Sequence, residues 1–381
     1  MSDSYVVEPQ RQYYARPRDQ RFEDMPSLRT AVERRRNLSR VTDVTLAELV
    51  PQAGTYFVPG TAPPPDQNTV FLTTPKAPFP FLSTHYAFSQ FCSRIKAPAN
   101  YLRELPPPLL AQVMQFSMQQ QAKEEKGDTR LMAWPVPLGG DDVDDEVMEL
   151  RAATSTTYGR IWDLDVVDMV QQIIDATGKA FENPLVWGGK RGGLYASDRD
   201  VFLFLVDGGS IVDGGSERDQ LHRGFYVWNS EVGNATFGIA TFLFRGVCGN
   251  HGIWGAEQLT ELRIRHSLNA PARFLSEAAP ALKAHVEAPA APLEAKIRQA
   301  KAFEIPGAPN KEKLIEFGRQ HGLTPAEVKG AIAYAEREEG AEVSNLWVLQ
   351  QGLTAYARDF AWVDSRVDLE RRAGKLMALA A

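Results

Sequence analysis

The chain is poor in cysteine, with only Cys92 and Cys248 among its 381 residues. Two cysteines do not make a disulfide framework, which favours a reducing compartment such as the cytoplasm. The sequence also lacks an apolar run of about 18 residues and an N-terminal segment with the pattern of a signal peptide. We therefore expect a cytoplasmic protein with no membrane partner.

Motifs that bind cofactors or carry catalysis are also missing. The run Gly188–Gly193 resembles a phosphate loop in composition alone, so we interpret it as a basic hairpin tip, with phosphate contact as the alternative. Cys248 and His251 are the only nucleophile and base that lie close in sequence. Together with His222 and His266 they lack the paired spacing of zinc ligands. We expect no catalytic residue, metal or cofactor, which favours a protein that is not an enzyme.

Positive charge is scarce overall, because 42 Lys and Arg face 48 Asp and Glu for a net charge of −6. This balance excludes a protein that coats nucleic acid through bulk positive charge, and any such binding needs a local patch. Residues 11–40 are one candidate, with nine arginines against four acidic residues. This segment is either a solvated arm or a basic arm that contacts nucleic acid.

The hydrophobic content of 44% is typical of a globular protein. We predict a polar, Arg-rich N-terminal arm at 1–70, an α+β core domain at 71–303 and a helical C-terminal region at 304–381. Hairpin signals alternate with short strands over 183–266, which favours antiparallel pairing. The predicted fold class is therefore α+β, with a mainly antiparallel central sheet, helices from 83–177 packed on it, and a helical C-terminal region.

Local signals place several elements. The apolar spacing that follows Thr84 predicts an amphipathic helix. Thr324 and Glu327 predict a capping box, so 311–340 is interpreted as two helices joined by a glycine turn. Structural packing is preferred to DNA reading for this pair, because its second helix is acidic. The acidic run 141–146 lacks the spacing of a calcium loop and is expected to be a solvated loop.

The stretch 222–266 holds the densest mixture of aromatic, Arg, Asn and His residues in the chain. It predicts two apolar strands joined by a turn at 229–234. Strand alternation in Glu261–His266 puts Arg263 and Arg265 on one face, while Leu262 and Ile264 point toward the core.

Single-stranded nucleic acid is held by cations along its backbone and aromatic faces under its bases. The predicted nucleic-acid-binding residues are Arg223, Tyr226, Trp228, Arg245, Asn250, His251, Arg263, Arg265 and His266. Against this interpretation, residues 183–273 carry nine basic and nine acidic residues. Trp228 and Trp254 also fit a hydrophobic core equally well.

Four segments carry a resemblance to a known family: THYAFSQFCSRIKAPANYLRELP at 84–106, RAATSTTYGRIWD at 151–163, NSEVGNATFGIATFLFRGVCGNH at 229–251 and NLWVLQQGLTAYARD at 345–359. From about residue 80 onward the chain resembles the phage- and plasmid-borne family of unknown function known as domain-of-unknown-function family nine-three-two. That family brings no established activity or catalytic residues. The resemblance implies residence on a mobile element of a bacterial host, where recombination, replication and evasion of host defence are common tasks.

These observations predict a DNA-binding protein, with single-stranded DNA preferred. We expect it to act in recombination or replication as a homo-oligomer, similar to single-strand annealing proteins, which bind strands without a metal or nucleotide. The alternative is a non-enzymatic protein-binding component, such as a host-defence inhibitor or a phage structural or assembly part. A basic groove favours the first hypothesis, and a large exposed apolar patch without one favours the second.

Overall fold

The computed structural model of the chain describes residues 20–55, 68–123, 128–139, 142–183, 185–186, 190–191, 193–212, 221–245, 250–252, 262–289, 291–357, 369 and 372–380. Its helices are α1 (Met25–Leu38), α2 (His85–Arg94), α3 (Ala99–Arg103), α4 (Pro107–Lys123), α5 (Asp163–Thr177), α6 (Ala270–Arg273), α7 (Ala279–Glu287), α8 (Ala291–Ala302), α9 (Lys311–Gln320), α10 (Pro325–Tyr334) and α11 (Leu346–Ala357). π-Helical turns at Phe274–Ala278 and Ala335–Glu339 follow α6 and α10.

The strands are β1 (Arg21–Phe22), β2 (Arg40–Thr45), β3 (Val50–Thr55), β4 (Asn68–Thr74), β5 (Ala77–Ser83), β6 (Asp128–Gly139), β7 (Asp142–Ser155), β8 (Phe181–Glu182), β9 (Leu185–Val186), β10 (Lys190–Arg191), β11 (Leu194–Ala196), β12 (Val201–Val212), β13 (Leu221–Asn229), β14 (Phe237–Arg245), β15 (Asn250–Gly252) and β16 (Leu262–Ile264).

The central sheet confirms the predicted α+β fold class. Its main path runs β1-β11-β12-β13-β14-β15, with β16 also on β14 and β8 on β12, and its described pairings are all antiparallel. One face, which includes Leu203, Phe225 and Ile239, packs against α1, α5 and α7. The opposite face carries stacked aromatic rings, with Phe202 and Trp228 on either side of Tyr226. Both faces are apolar because both are covered.

A second sheet, which the sequence analysis did not predict, has the order β2-β6-β7-β5-β4-β3. Helices α2, α3 and α4 pack on this sheet, so the prediction that all helices from 83–177 lie on the central sheet is wrong. Of these helices, α5 packs on the central sheet. The acidic run also differs from its prediction, because residues 142–146 belong to β7. Strands β6 and β7 are rich in Pro, Asp, Ala and Thr, so they give little apolar alternation.

The C-terminal region is helical, as predicted. Thr324 and Glu327 form the predicted capping box of α10. Glu327 also receives two hydrogen bonds from Arg372, at 2.7 and 2.9 Å. Close helix packing is visible at Gly352, where an added β-carbon would lie 2.2 Å from the carbonyl oxygen of Ala331. These contacts agree with the structural-packing interpretation of 311–340.

Residues 20–55, which the sequence analysis assigned to the N-terminal arm, form helix α1 and strands β1, β2 and β3. Thr84 caps α2 by accepting a hydrogen bond from the Ala87 amide at 3.1 Å, as the sequence predicts. Among the described helices, none has the length and apolar character needed to cross a bilayer.

The turn between β13 and β14, residues 229–234, connects the two sheets. Gln90 of α2 donates a hydrogen bond to the carbonyl oxygen of Val232 at 2.7 Å. Tyr158, which follows β7, donates from its hydroxyl to the carbonyl oxygen of Ser230 at 2.9 Å. The turn predicted as an ordinary hairpin connection is therefore held by side chains outside the central sheet.

A buried ion pair fixes this turn. Arg151 of β7 contacts Glu231 at 2.7 Å, and their side chains are 1% and 3% exposed. The second carboxylate oxygen of Glu231 accepts the Asp163 amide, at the first residue of α5, at 3.3 Å. Arg160 donates to the Glu231 carbonyl oxygen, and the Trp134 ring lies 4.3 Å from the Arg151 guanidinium. One carboxylate thus links a strand of the second sheet to a helix of the central sheet.

Asp163 is a second buried acid at this junction. Burial and the Glu231 carboxylate raise the pKa of Asp163 well above its ordinary value. Asn229 donates a hydrogen bond to it at 2.7 Å.

The buried pair makes a prediction for stability. Replacing Arg151 with Met leaves Glu231 without its cationic partner, which should lower the free energy of unfolding by about 3–5 kcal/mol. The matched control is Arg130→Met, which breaks the half-exposed pair with Asp43 in the same sheet and should cost at most about 1 kcal/mol.

Urea unfolding of the two variants measures both effects. The double variant Arg151→Met with Glu231→Gln should recover part of the loss, because no uncompensated charge remains buried. Equal losses in the Arg151 and Arg130 variants would contradict the role given to this ion pair.

Candidate nucleic-acid interface

An open groove of about 780 Å³ lies where the two sheets meet. Three segments line it: the end of β7 with the residues after it, the β13–β14 turn with the residues after it, and β16 with the turn that follows. The described lining residues are Ser155, Thr157, Tyr158, Trp228, Gly233, Asn234, Ala235, Thr236, Arg263, Arg265, His266, Ser267 and Leu268. A volume of this size is typical of a ligand site.

Strand register places Arg263 beside Trp228. Gly238 of β14 pairs with Trp228 on one side and with Arg263 on the other. A β-carbon at residue 238 would lie 2.0 Å from the Trp228 indole, so only glycine lets the ring lie across β14. The Arg263 guanidinium lies 5.9 Å from the indole centroid. The contact is a cation–π interaction at the side of the groove.

Alternation along β16 matches its prediction. Ile264 is buried, and Leu262 packs against the same core. Arg263 is half-buried, and Arg265 is exposed just beyond the end of the strand. Both arginines line the groove.

A second glycine brings the other two lining segments together. A β-carbon at Gly159 would lie 1.9 Å from the carbonyl oxygen of Ser267, so the backbones of the two segments are in direct contact there. The Nδ1 atom of His266 lies 3.1 Å from the Gly159 carbonyl oxygen. The His266 ring stacks on Tyr158 with the centroids 5.0 Å apart. These contacts fix the floor of the groove before any ligand arrives.

Charge is segregated around the groove. Segments 151–162, 232–245 and 262–276 contain six arginines and no acidic residue. Arg151 forms an ion pair with Glu231, and Arg273 forms one with Glu277. Among the described residues that line the groove, Arg263 and Arg265 are charged at neutral pH, and none is a carboxylate.

The titratable rings on the groove floor are held neutral. Burial, with a contribution from the nearby Arg160, lowers the pKa of His266 to about 4. Burial raises the pKa of the Tyr158 hydroxyl above its ordinary value. The two rings therefore supply neutral surface and hydrogen-bonding atoms at neutral pH, and the positive charge comes from Arg263 and Arg265.

Arg223 does not belong to this surface, which corrects its prediction. It shares a strand face with Phe225 and Val227, whose side chains pack under the helices. Its guanidinium is 6% exposed and donates to the carbonyl oxygens of His285 and Ala288. Arg223 therefore anchors the end of α7 and cannot reach a ligand in the groove.

The other predicted site residues divide into two groups. Tyr226 is buried between the Phe202 and Trp228 rings, so it supports the groove and offers no free face. For Arg245, Asn250 and His251 the structure describes the backbone alone, with Arg245 paired to Asn250 and Phe244 to His251.

Further predictions fall outside the described part of the chain. They concern Cys248, Trp254 and three glycines of the Gly188–Gly193 run, at 188, 189 and 192. Within the described ranges, no three His, Cys, Asp or Glu side chains are grouped so that they could hold a metal ion.

Several lining residues were missed by sequence reasoning. They are the hydroxyl and amide side chains Ser155, Thr157, Asn234, Thr236 and Ser267, together with Tyr158 and Leu268. The Ser- and Thr-rich run at 154–157 is a signal for hydrogen bonding. It lies more than 100 residues before Arg263 and Arg265 in the sequence, so the sequence alone does not indicate that they line the same groove. Comparison with family models, curated proteins and solved structures finds no match for the chain.

Buried histidines make acid stability testable. The His285 ring is buried, and this burial, then the Arg223 charge, lowers the pKa of His285 to about 4. Below the unfolded value of 6.5, the unfolded chain binds a proton that the folded chain refuses until about pH 4. His285 therefore costs stability progressively as the pH falls from 6.5 to 4.

Replacing His285 with Phe should remove this cost, because the ring packs edge-on against Phe225 with the centroids 6.3 Å apart. Relative to the parent, the variant should gain about 1–2 kcal/mol more at pH 5 than at pH 7. Urea unfolding at the two pH values measures the difference. The same gain or loss at both pH values would show that His285 does not titrate in this range.

Proposed function

We propose that the protein binds nucleic acid, preferably single-stranded DNA, in the groove that carries Arg263 and Arg265. The single observation behind the proposal is the charge of this groove: two arginines and several hydroxyl and amide groups line it, without a carboxylate among the described lining residues. Such a lining favours an anionic ligand that accepts hydrogen bonds, and a phosphodiester backbone has that chemistry.

The size of the groove favours a single strand over a duplex. A volume of about 780 Å³ accommodates a short stretch of one strand, whereas a double helix can contact only its rim. Binding of this kind is expected to depend on the backbone more than on base sequence, because the Trp228 ring is 9% exposed. The proposed setting in recombination or replication on a phage or plasmid rests on the family resemblance of the sequence.

Binding should depend on the two groove arginines. Replacing Arg263 and Arg265 with Ala should weaken binding of a single-stranded oligonucleotide roughly tenfold or more near physiological salt. The slope of log affinity against log salt should fall by about 1 to 1.5 units, since each lost phosphate contact on a single strand accounts for about 0.7. The melting temperature should fall only slightly, because Arg265 is exposed and the half-buried Arg263 loses a cation–π contact of about 0.5–1 kcal/mol.

The matched control removes two positive charges outside the groove. Arg273 and Lys283 pair with Glu277 and Glu287, and neither lines the groove. Their double replacement with Ala should leave affinity and salt slope nearly unchanged. A parent protein that binds no single- or double-stranded DNA or RNA better than about 10 µM at low salt would rule out the proposed function. Equal losses of affinity in the two double variants would show that this groove is not the binding site.

A second candidate function, protein binding, is favoured by an apolar stripe on α4. Leu109 and Phe116 are 45% and 62% exposed, and their spacing of two helical turns puts them on one side of the helix. Tyr101 of α3 is 59% exposed as well. We propose that the predicted homo-oligomer forms through this stripe.

Light scattering on the eluted protein tests the stripe. Phe116→Ser should lower the mass of the parent oligomer, because the substitution removes the largest exposed ring of the stripe. Leu275→Ser, at an exposed leucine of another segment, should leave the mass unchanged. A monomeric parent would exclude the stripe as a contact between copies.

A further inference from the structure

Leu268 is an apolar side chain that projects into the basic groove. It is 68% exposed, and it stands among polar lining residues directly after Arg265, His266 and Ser267. An exposed leucine on its own is ordinary at a protein surface. Leu268 lines the groove together with the two arginines, so a ligand that fills the groove would contact it.

The turn that carries Leu268 is firmly anchored. The Ala270 amide donates to the Ser267 carbonyl oxygen at 2.8 Å, which closes a four-residue turn with Leu268 at its second position. Asn269 has φ −87° and ψ 2°, as expected at the third position of a type I turn. The Ser267 carbonyl also rests against Gly159. The backbone at Leu268 is therefore fixed, so binding a ligand here orders only the leucine side chain.

We infer that Leu268 packs against an unpaired base of the bound strand while Arg263 and Arg265 hold its phosphates. This inference rests on the proposed function and assigns the leucine the role of distinguishing a single strand from a duplex. In a duplex, an apolar side chain reaches a base face only by unstacking its neighbour, at a cost of about a few kcal/mol, whereas an unpaired strand can present a base without that cost. The phosphate contacts alone would not make that distinction.

The test compares Leu268→Ala with Leu275→Ala. Leu275 is 75% exposed in the same segment and does not line the groove, so it is a matched control. Leu268→Ala should weaken single-strand binding about five- to tenfold and reduce the ratio of single- to double-strand affinity by a similar factor. Its salt slope should equal that of the parent, because no phosphate contact is lost. Leu268→Met keeps the apolar contact and should bind like the parent.

A strand of abasic residues separates the base contact from the backbone contact. On that strand the parent and Leu268→Ala should bind equally, since no base is present to pack on the leucine. A parent that binds no nucleic acid would overturn the proposed function and this inference together. A parent that binds, and loses affinity on replacement of Arg263 and Arg265, with Leu268→Ala unaffected, would overturn this inference alone. Equal losses of single-strand affinity in both leucine variants would show that the effect is not specific to the groove. That result would also overturn this inference.

Discussion

The ion pair between Arg151 and Glu231 is the interaction on which the arrangement of the two sheets depends. Burying two charges is costly, and an apolar contact of the same size can be just as stabilising. What the ion pair adds is direction, because one oxygen of Glu231 faces the guanidinium and the other caps helix α5. The turn at 229–234 therefore has one position relative to both sheets. Gly233 and Asn234 at the end of this turn line the groove, as do the two residues that follow. The ion pair therefore fixes the position of this side of the groove.

Two close approaches complete the groove, and glycine permits both. At Gly238 the absence of a side chain lets the Trp228 ring lie flat on the neighbouring strand, within reach of Arg263. At Gly159 it lets the segment after β7 touch the turn after β16. Larger residues at either position would push the lining segments apart, and the arginines would no longer face the hydroxyl groups across the groove. Pre-formed sites of this kind avoid the cost of ordering the protein when a ligand binds.

Local sequence signals were sufficient for the central strands, for helix α2 and for the capping box of α10, because each depends on the spacing of neighbouring residues. The second sheet was missed because β6 and β7 carry little alternation and pair with segments far away in sequence. Arg223 and Arg263 illustrate the limit for the site. Both are arginines in strands of the same sheet, yet Arg223 points under α7 and Arg263 points into the groove. The two arginines differ in whether helices cover the side of the sheet to which they point. Which side the helices cover depends on the packing of elements that are distant in sequence.

The equal numbers of basic and acidic residues in 183–273 do not mean that the charges cancel at each point of the folded protein. Nine basic and nine acidic residues cancel in sequence, but Glu231 and Asp207 are buried and Asp200 bonds to Ser197 in the turn before β12. None of these three acids is among the described residues that line the groove with Arg263 and Arg265. Screening limits the reach of exposed charges to about 8–10 Å at physiological salt, so a ligand in the groove experiences these arginines more than the net charge of −6. The net charge of −6 weakly repels an anion as a whole, so the proposed ligand would gain most by entering the groove itself, and a flexible single strand is narrower than a duplex and better suited to do so.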